Sequence, residues 1–406
     1  MHTKVLIITF CGAVLGAVLH ADSFRPKPVI PGIEVLLTEQ RERLRGKRIG
    51  LITNHTAVDR RQRHAADLLA ALPETRLVAL FSPEHGIRGT APAGQEVSSG
   101  TDPTTGVPVY SLYGAVTEPT PEMLENVDVL VYDIQDAGAR FYTYISTLGR
   151  CLRVAAARHI AFLVLDRPNP LNGTALEGPL LDPKFRSFVG EFPIPIRYGL
   201  TAGELALWIR AEESLDLDLH VVKMKNWRRK QWYDDTGLKW VPPSPNLPTV
   251  EAAVVYPGLC LIEGTNLSEG RGTAKPFEQI GAPWIDGPAL AEALTARSLP
   301  GAEFRAVQFT PTSSKFAGQL CQGIQVQVAD RSVFSPVMTA LEILAEVRRR
   351  YPSQFVWNAR HFDRLAGTDT VRSALDRGTS AAKLVDSWNG ELNAFRKQID
   401  RFLLYR

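Results

Sequence analysis

The chain has 406 residues, with 46 Lys and Arg against 43 Asp and Glu, a net charge of +3. That balance argues against a nucleic-acid partner. At 45% hydrophobic and 22% charged residues, the composition excludes a disordered or fibrous chain. The length points to two domains rather than one.

Residues 1–21 stand apart. Lys4 precedes an apolar run from Val5 to Leu19, followed by His20-Ala21-Asp22. This pattern predicts a secretory signal peptide cut near Ala21, hence a secreted or periplasmic protein with no stable membrane span after cleavage. The alternative is an uncleaved anchor, for which the apolar run is somewhat short. Cys11 has no small-residue lipobox before it. Cys151, Cys260 and Cys321 would remain, odd in number, widely spaced and in apolar surroundings. They read as buried free thiols rather than a disulfide framework or a metal site.

Ile33, Leu36, Leu37 and Leu44 have helical spacing. Arg48–Thr53 reads as a strand that ends at Asn54-His55, and Arg61–Leu72 as a helix. Leu77 to Phe81 is a continuous apolar run, the mark of a strand buried on both faces. It stops at Ser82-Pro83-Glu84-His85-Gly86. A Gly/Pro/Ser/Thr loop fills residues 86–107, and Pro108–Tyr113 is a short strand candidate. Val127–Asp133 is the next strong strand, then a helix to about Arg158, then Ile160–Leu165. Thr201-Ala202-Gly203-Glu204 has a capping-box pattern, and His220–Met224 is a further strand.

Alternating strands and helices predict an α/β fold: a Rossmann-like, doubly wound parallel sheet over residues 22–248. A smaller α+β domain over 249–406 follows the Pro-rich stretch Pro242–Pro248, with strands at Phe304–Phe309 and Gly323–Val328. No glycine fingerprint for dinucleotides and no Walker sequence is present, so no nucleotide cofactor is expected. Four strands end in polar clusters: Asn54-His55, Glu84-His85, Asp133 to Arg140, and Asp166 to Asn172. On a parallel sheet these ends share one edge and are expected to converge on one crevice. The Gly-rich segment Glu263–Thr273 holds two carboxylates and Arg271, placed to close over that crevice. His55 and His85 have no zinc-ligand spacing, so no metal is expected.

Several of these segments resemble one family in one order: Gly50–Thr56, Phe81–Gly89, Asp133–Tyr144, Asp166–Pro170, Pro243–Pro248 and Glu263–Thr273. The chain is similar to the secreted exo-β-N-acetylmuramidases of NamZ type, formerly a bacterial family of unknown function. The resemblance implies a hydrolase that releases N-acetylmuramic acid from the non-reducing end of peptidoglycan fragments. It also implies a Rossmann-like domain, a smaller α/β domain and a site in the cleft between them. Muramic acid glycosides are the expected partners.

Glycoside hydrolysis usually needs an acid and a second carboxylate. Glu84 is the expected acid, since loss of water at a buried strand end favours a protonated carboxyl. His85 orients it or contacts sugar. Asp133, Asp136, Glu263 and Glu269 all qualify as the second carboxylate, and Glu269 is favoured because domain closure can bring its loop opposite Glu84. Substrate assistance by the 2-acetamido group would remove the need for a nucleophile. Arg140 and Arg271 are expected to hold the lactyl carboxylate. Tyr142, Tyr144, Asn54 and Asn169 are expected at hydroxyls or the acetamide, and His55, Gln135, Asn246 and Asn266 complete the expected sugar-binding set. The competing reading is a non-catalytic periplasmic protein that captures muropeptides between two lobes.

Overall fold

The apolar runs pair side by side. In the computed structural model, which describes residues 27–89 and 99–406, seven strands form one sheet. They are β1 (Arg48–Thr53), β2 (Arg76–Ser82), β3 (Gly100–Thr101), β4 (Pro108–Ser111), β5 (Val129–Asp133), β6 (Ala161–Leu165) and β7 (Leu219–Val222). The order is β3-β4-β2-β1-β5-β6-β7, parallel throughout except for β3. The expected Rossmann-like sheet is therefore present. The signal-peptide expectation lies outside the described residues. Among them, no helix is long and apolar enough to cross a membrane.

Helices cover the sheet because its strands are buried on both faces. They are α1 (Gly32–Glu39), α2 (Ala65–Ala70), α3 (Pro121–Leu124), α4 (Tyr144–Ala157) and α5 (Ala202–Glu212). The last turn of the predicted first helix is a separate 3₁₀ turn, Arg41–Leu44, and α2 is half the predicted length. On α4, Ile145, Leu148, Leu152 and Ala155 form one buried stripe at helical spacing. The capping box opening α5 is made: Thr201 accepts from the Glu204 amide, and Glu204 accepts from the Thr201 amide. Cys151, Cys260 and Cys321 are buried and free.

The second half begins with α6 (Val250–Leu259), whose flanks are apolar almost all round. Then come β8 (Gln279–Ala282), α7 (Gly287–Thr295), β9 (Ala302–Phe309), β10 (Cys321–Val328) and α8 (Pro336–Arg350). Four short helices close the chain: α9 (Ala359–Ala366), α10 (Thr370–Asp376), α11 (Ala381–Ser387) and α12 (Asn389–Ile399). The strands form a three-stranded antiparallel sheet, β8-β10-β9.

The two sheets share one hydrophobic core. A single cluster of buried side chains runs from Ile52 and Phe81, through Tyr142 and Tyr256, to Ile280, Ile324 and Leu344. At the seam, Tyr256 meets Phe141 edge-on at 5.2 Å between ring centroids and Phe277 at 4.8 Å. Such pairs contribute about 0.5–1.5 kcal/mol each beyond burial of their area.

α6 and α8 pack so closely that a Cβ on Gly258 would lie 1.7 Å from the Pro336 carbonyl oxygen. Gly258→Ala must push the helices apart. We expect it to destabilise the protein by about 3 kcal/mol, read as a lower urea midpoint; a midpoint within error of wild type would contradict the packing.

Candidate active site

Three of the four polar strand ends are spent on holding one another. Asp133, at the end of β5, is fully buried and paired with Arg167. Asn54 accepts from the Thr56 amide and hydroxyl in a local turn, and Thr56 in turn accepts from the Gln135 amide. The Gln135 side chain donates to the Pro168 and Asp136 carbonyls. Asn169 donates to the Leu200 carbonyl. Asp136 accepts from the Gly138 amide (2.6 Å) and the Tyr198 hydroxyl, and burial raises its carboxyl to about 6. The predicted crevice at the β1–β5 edge is thus a sealed polar lattice. Burial favours such mutual pairing of polar groups, although Asn54 Nδ2, Gln135 Oε1 and Asp136 Oδ1 are left without a hydrogen bond among the described residues.

Four further residues expected at substrate are committed to protein partners instead. Arg140 is fully buried and donates to four backbone carbonyls: Pro179 (2.7 Å), Ile194 (2.8 Å), Leu365 (3.0 Å) and Ala366 (2.7 Å). Burial pushes its guanidinium down to about 9. Tyr144 is buried with its hydroxyl on the Pro243 carbonyl (2.8 Å). The His55 ring sits against the Pro242 carbonyl (2.8 Å). Asn266 clips its loop to the Gln354 carbonyl and the Val356 amide. Asn169 and Asn54, as above, serve the lattice.

The open space lies one strand further along, where β2 and β4 face the second half. A cleft of about 1310 Å³ is lined by Glu84, Tyr113, Asn246, Glu263, Glu269, Arg271 and His361, with the β9–β10 hairpin as a further wall. An inner pocket of about 150 Å³ shares Glu84, Tyr113, Asn246, Glu263, Arg271 and His361 with it. Its other walls are His85, Thr143 and the apolar Phe141, Tyr142, Tyr256 and Phe277. Glu84 follows β2 directly and accepts from the Thr143 hydroxyl (3.2 Å). His85 is buried with φ +72°, a left-handed conformation in which non-glycine residues concentrate at functional turns. Tyr113 enters because β4 runs parallel to β2, so its end reaches the same edge. Burial first, then the Glu84 carboxylate, pushes the Tyr113 phenol up to about 12. Among the described residues the buried Tyr142 hydroxyl makes no hydrogen bond of good geometry; its polar neighbour is Tyr144, whose hydroxyl is committed to Pro243.

The facing wall is a chain of opposite charges. Arg271 donates to Glu263 Oε1 from Nη2 (2.6 Å) and Nε (3.1 Å). Glu263 Oε2 stands 3.5 Å from His361 Nε2. Lys315 Nζ lies 3.0 Å from Glu269 Oε2 and also donates to the Leu267 carbonyl (2.9 Å). Gly272 lets the loop abut the hairpin: it has φ +77°, and a Cβ there would sit 2.5 Å from the Ser313 nitrogen. Sequence reasoning missed Tyr113, Thr143, His361 and Lys315. Tyr113 had a readable signal in the strand before it; His361 sits on α9, where no helix was predicted. Among the described residues, no group of three or more His, Cys, Asp or Glu side chains is placed to hold a metal ion.

With this geometry in view, the comparisons with known proteins agree. Residues 49–251 match the N-terminal domain model of the exo-β-N-acetylmuramidase NamZ, and residues 254–405 its C-terminal model. The chain belongs to this family and is a glycoside hydrolase. A peptidoglycan β-N-acetylmuramidase NamZ of Bacillus subtilis (strain 168) is 51% identical over 382 residues, covering 94% of this chain and 92% of that one. Two crystal structures of DUF1343-family proteins from Bacteroides fragilis NCTC 9343 superpose with TM-scores of 0.88 and 0.74, at 39% and 33% identity. Each covers 93% of this chain and 99% of its own.

Burial opposes the charge on Glu263, but His361 and Arg271 outweigh it and hold the carboxyl at about 2, below its ordinary 4.5. A carboxyl depressed in the folded state adds stability that is fully present above 4.5 and lost as pH falls towards 2. Glu263→Gln is therefore expected to flatten the stability–pH curve in that window, measured by urea denaturation across pH. A slope equal to wild type would contradict the ion pair.

Proposed function

We propose that the protein is exported and releases N-acetylmuramic acid from the non-reducing end of peptidoglycan fragments. The observation that carries this reading is the meeting of Glu84 with Arg271 and His361 around one inner pocket. The name of the Bacillus subtilis relative supports the substrate class, and the basic start with its apolar run supports export.

In this reading Glu84 gives its proton to the leaving glycosidic oxygen. Thr143 and Tyr113 hold the carboxyl in place. Arg271 spends Nε and Nη2 on Glu263, which leaves Nη1 without a protein acceptor among the described residues. That nitrogen and His361 take the lactyl carboxylate. The aromatic walls of the pocket receive the lactyl methyl, and the Tyr142 hydroxyl, which lines the same pocket, takes the acetamide or a ring hydroxyl. The roomier outer cleft holds the rest of the strand.

The test is hydrolysis of para-nitrophenyl β-N-acetylmuramide beside its N-acetylglucosamine analogue. Release from the muramide alone is expected; equal release from both removes the lactyl assignment. Glu84→Gln is expected to lower kcat by about 10²–10⁴-fold with an unchanged melting temperature. Near-normal turnover by that variant would sink its role as the acid.

A further inference from the structure

We propose that Glu263 is the second catalytic carboxylate of this site, and that Glu269 with Lys315 is the fixed frame behind it. The inference rests on the glycosidase reading above and deepens it. Sequence reasoning favoured Glu269, and the structure separates the two residues on three counts.

The first count is reach. Glu84 and Glu263 are the two carboxylates that line the inner pocket among the described residues, whereas Glu269 lines the outer cleft alone. The second is exposure. The Glu263 side chain keeps 18% of its surface open, against 3% for Glu269. The third is the partner: Glu263 is held by Arg271 and His361, which line the inner pocket with it, whereas Glu269 is held by Lys315, which does not line that pocket. Glu269 Oε2 accepts from Lys315, and its Oε1 stands 3.5 Å from both Ser314 Oγ and Arg271 Nε. Lys315 is fixed in turn by the carbonyls of Leu267 (2.9 Å), Glu263 (3.2 Å) and Ile262 (3.4 Å). Its neighbours Ser314 and Phe316 both hold left-handed backbone, with φ +67° and +59°. A lysine presented between two such residues, and bound to the carbonyls of the loop that carries Glu263, has the geometry of a built-in brace. Arg271 and His361 keep Glu263 ionised, as a base or nucleophile requires.

The chemistry balances in either stereochemical course. The Glu84 proton goes to the leaving oxygen as the C1–O bond breaks. Glu263 either takes the proton of the water that attacks C1, or attacks C1 itself and is released in a second step by water whose proton goes to the now ionised Glu84.

The experiment compares Glu263→Ala and Glu269→Ala in the whole protein on para-nitrophenyl β-N-acetylmuramide, with and without sodium azide. Glu263→Gln serves as the isosteric control, and melting temperatures are recorded. We expect Glu263→Ala to lose kcat by about 10³-fold or more and to regain it in part with azide, yielding a glycosyl azide. Glu269→Ala is expected to lose less than about 10-fold and to gain nothing from azide. Azide rescue confined to Glu269→Ala, or a Glu263→Gln variant within about 10-fold of wild type, overturns the assignment. A wild-type protein inactive on the muramide would instead overturn the substrate reading, so the two failures are distinguishable.

Discussion

One buried cation holds the two halves of this molecule in register. The Arg140 guanidinium lies in the interior, and among the described residues no carboxylate pairs with it. Its Nη1 and Nη2 donate to two carbonyls from the first half, Pro179 and Ile194, and two from the end of α9, Leu365 and Ala366. Burying a charge costs several kcal/mol. Four acceptors offset that cost, helped by the negative end of the α9 dipole. The close approach also explains Gly367, where a Cβ would sit 2.5 Å from Arg140 Nη2. Because α9 is tied down one turn after His361, the imidazole has little freedom in how it meets Glu263. A residue far from solvent thus sets the geometry of the cleft wall.

Much of the fold was legible because buried parallel strands have an unmistakable pattern. Arg48–Thr53 was read to the residue, and the capping box at Thr201 was visible as a motif. The second half was harder for an equally physical reason. α6 is buried nearly all round, so its sequence has no periodic stripe to announce a helix. The site was legible in part. Glu84, His85, Tyr142, Asn246, Glu263, Glu269 and Arg271 do line the space between the halves. Asp133, Gln135, Asp136 and Arg140 do not, although they sit in equally conspicuous motifs. A polar residue at a strand end looks the same in sequence whether its partner is a ligand or another strand end. Only the fold shows that Asp133 meets Arg167 and that Asp136 meets Tyr198. Lys315 had no signal of its own, since its role comes from carbonyls some fifty positions away.

Charge is distributed to match. The pairs Glu263–Arg271 and Glu269–Lys315 neutralise one wall of the cleft from within the second half. The other wall carries Glu84, supplied by the first half. An anionic ligand would therefore meet compensated carboxylates on one side, which limits the repulsion that three acids in one cleft would otherwise impose.

The unbroken core beneath the cleft has an energetic consequence. Tyr142, Tyr256 and Phe277 form a seam that cannot slide without exposing aromatic surface, and the seam is also the pocket wall. Swinging the two halves apart like a clamshell would therefore carry the cost of that exposure. Among the described residues the aromatic wall of the pocket is thus assembled as part of the core, and little of its ordering entropy is left for a ligand to offset. The shape of that wall is set before a ligand arrives, as in a lock cut before its key.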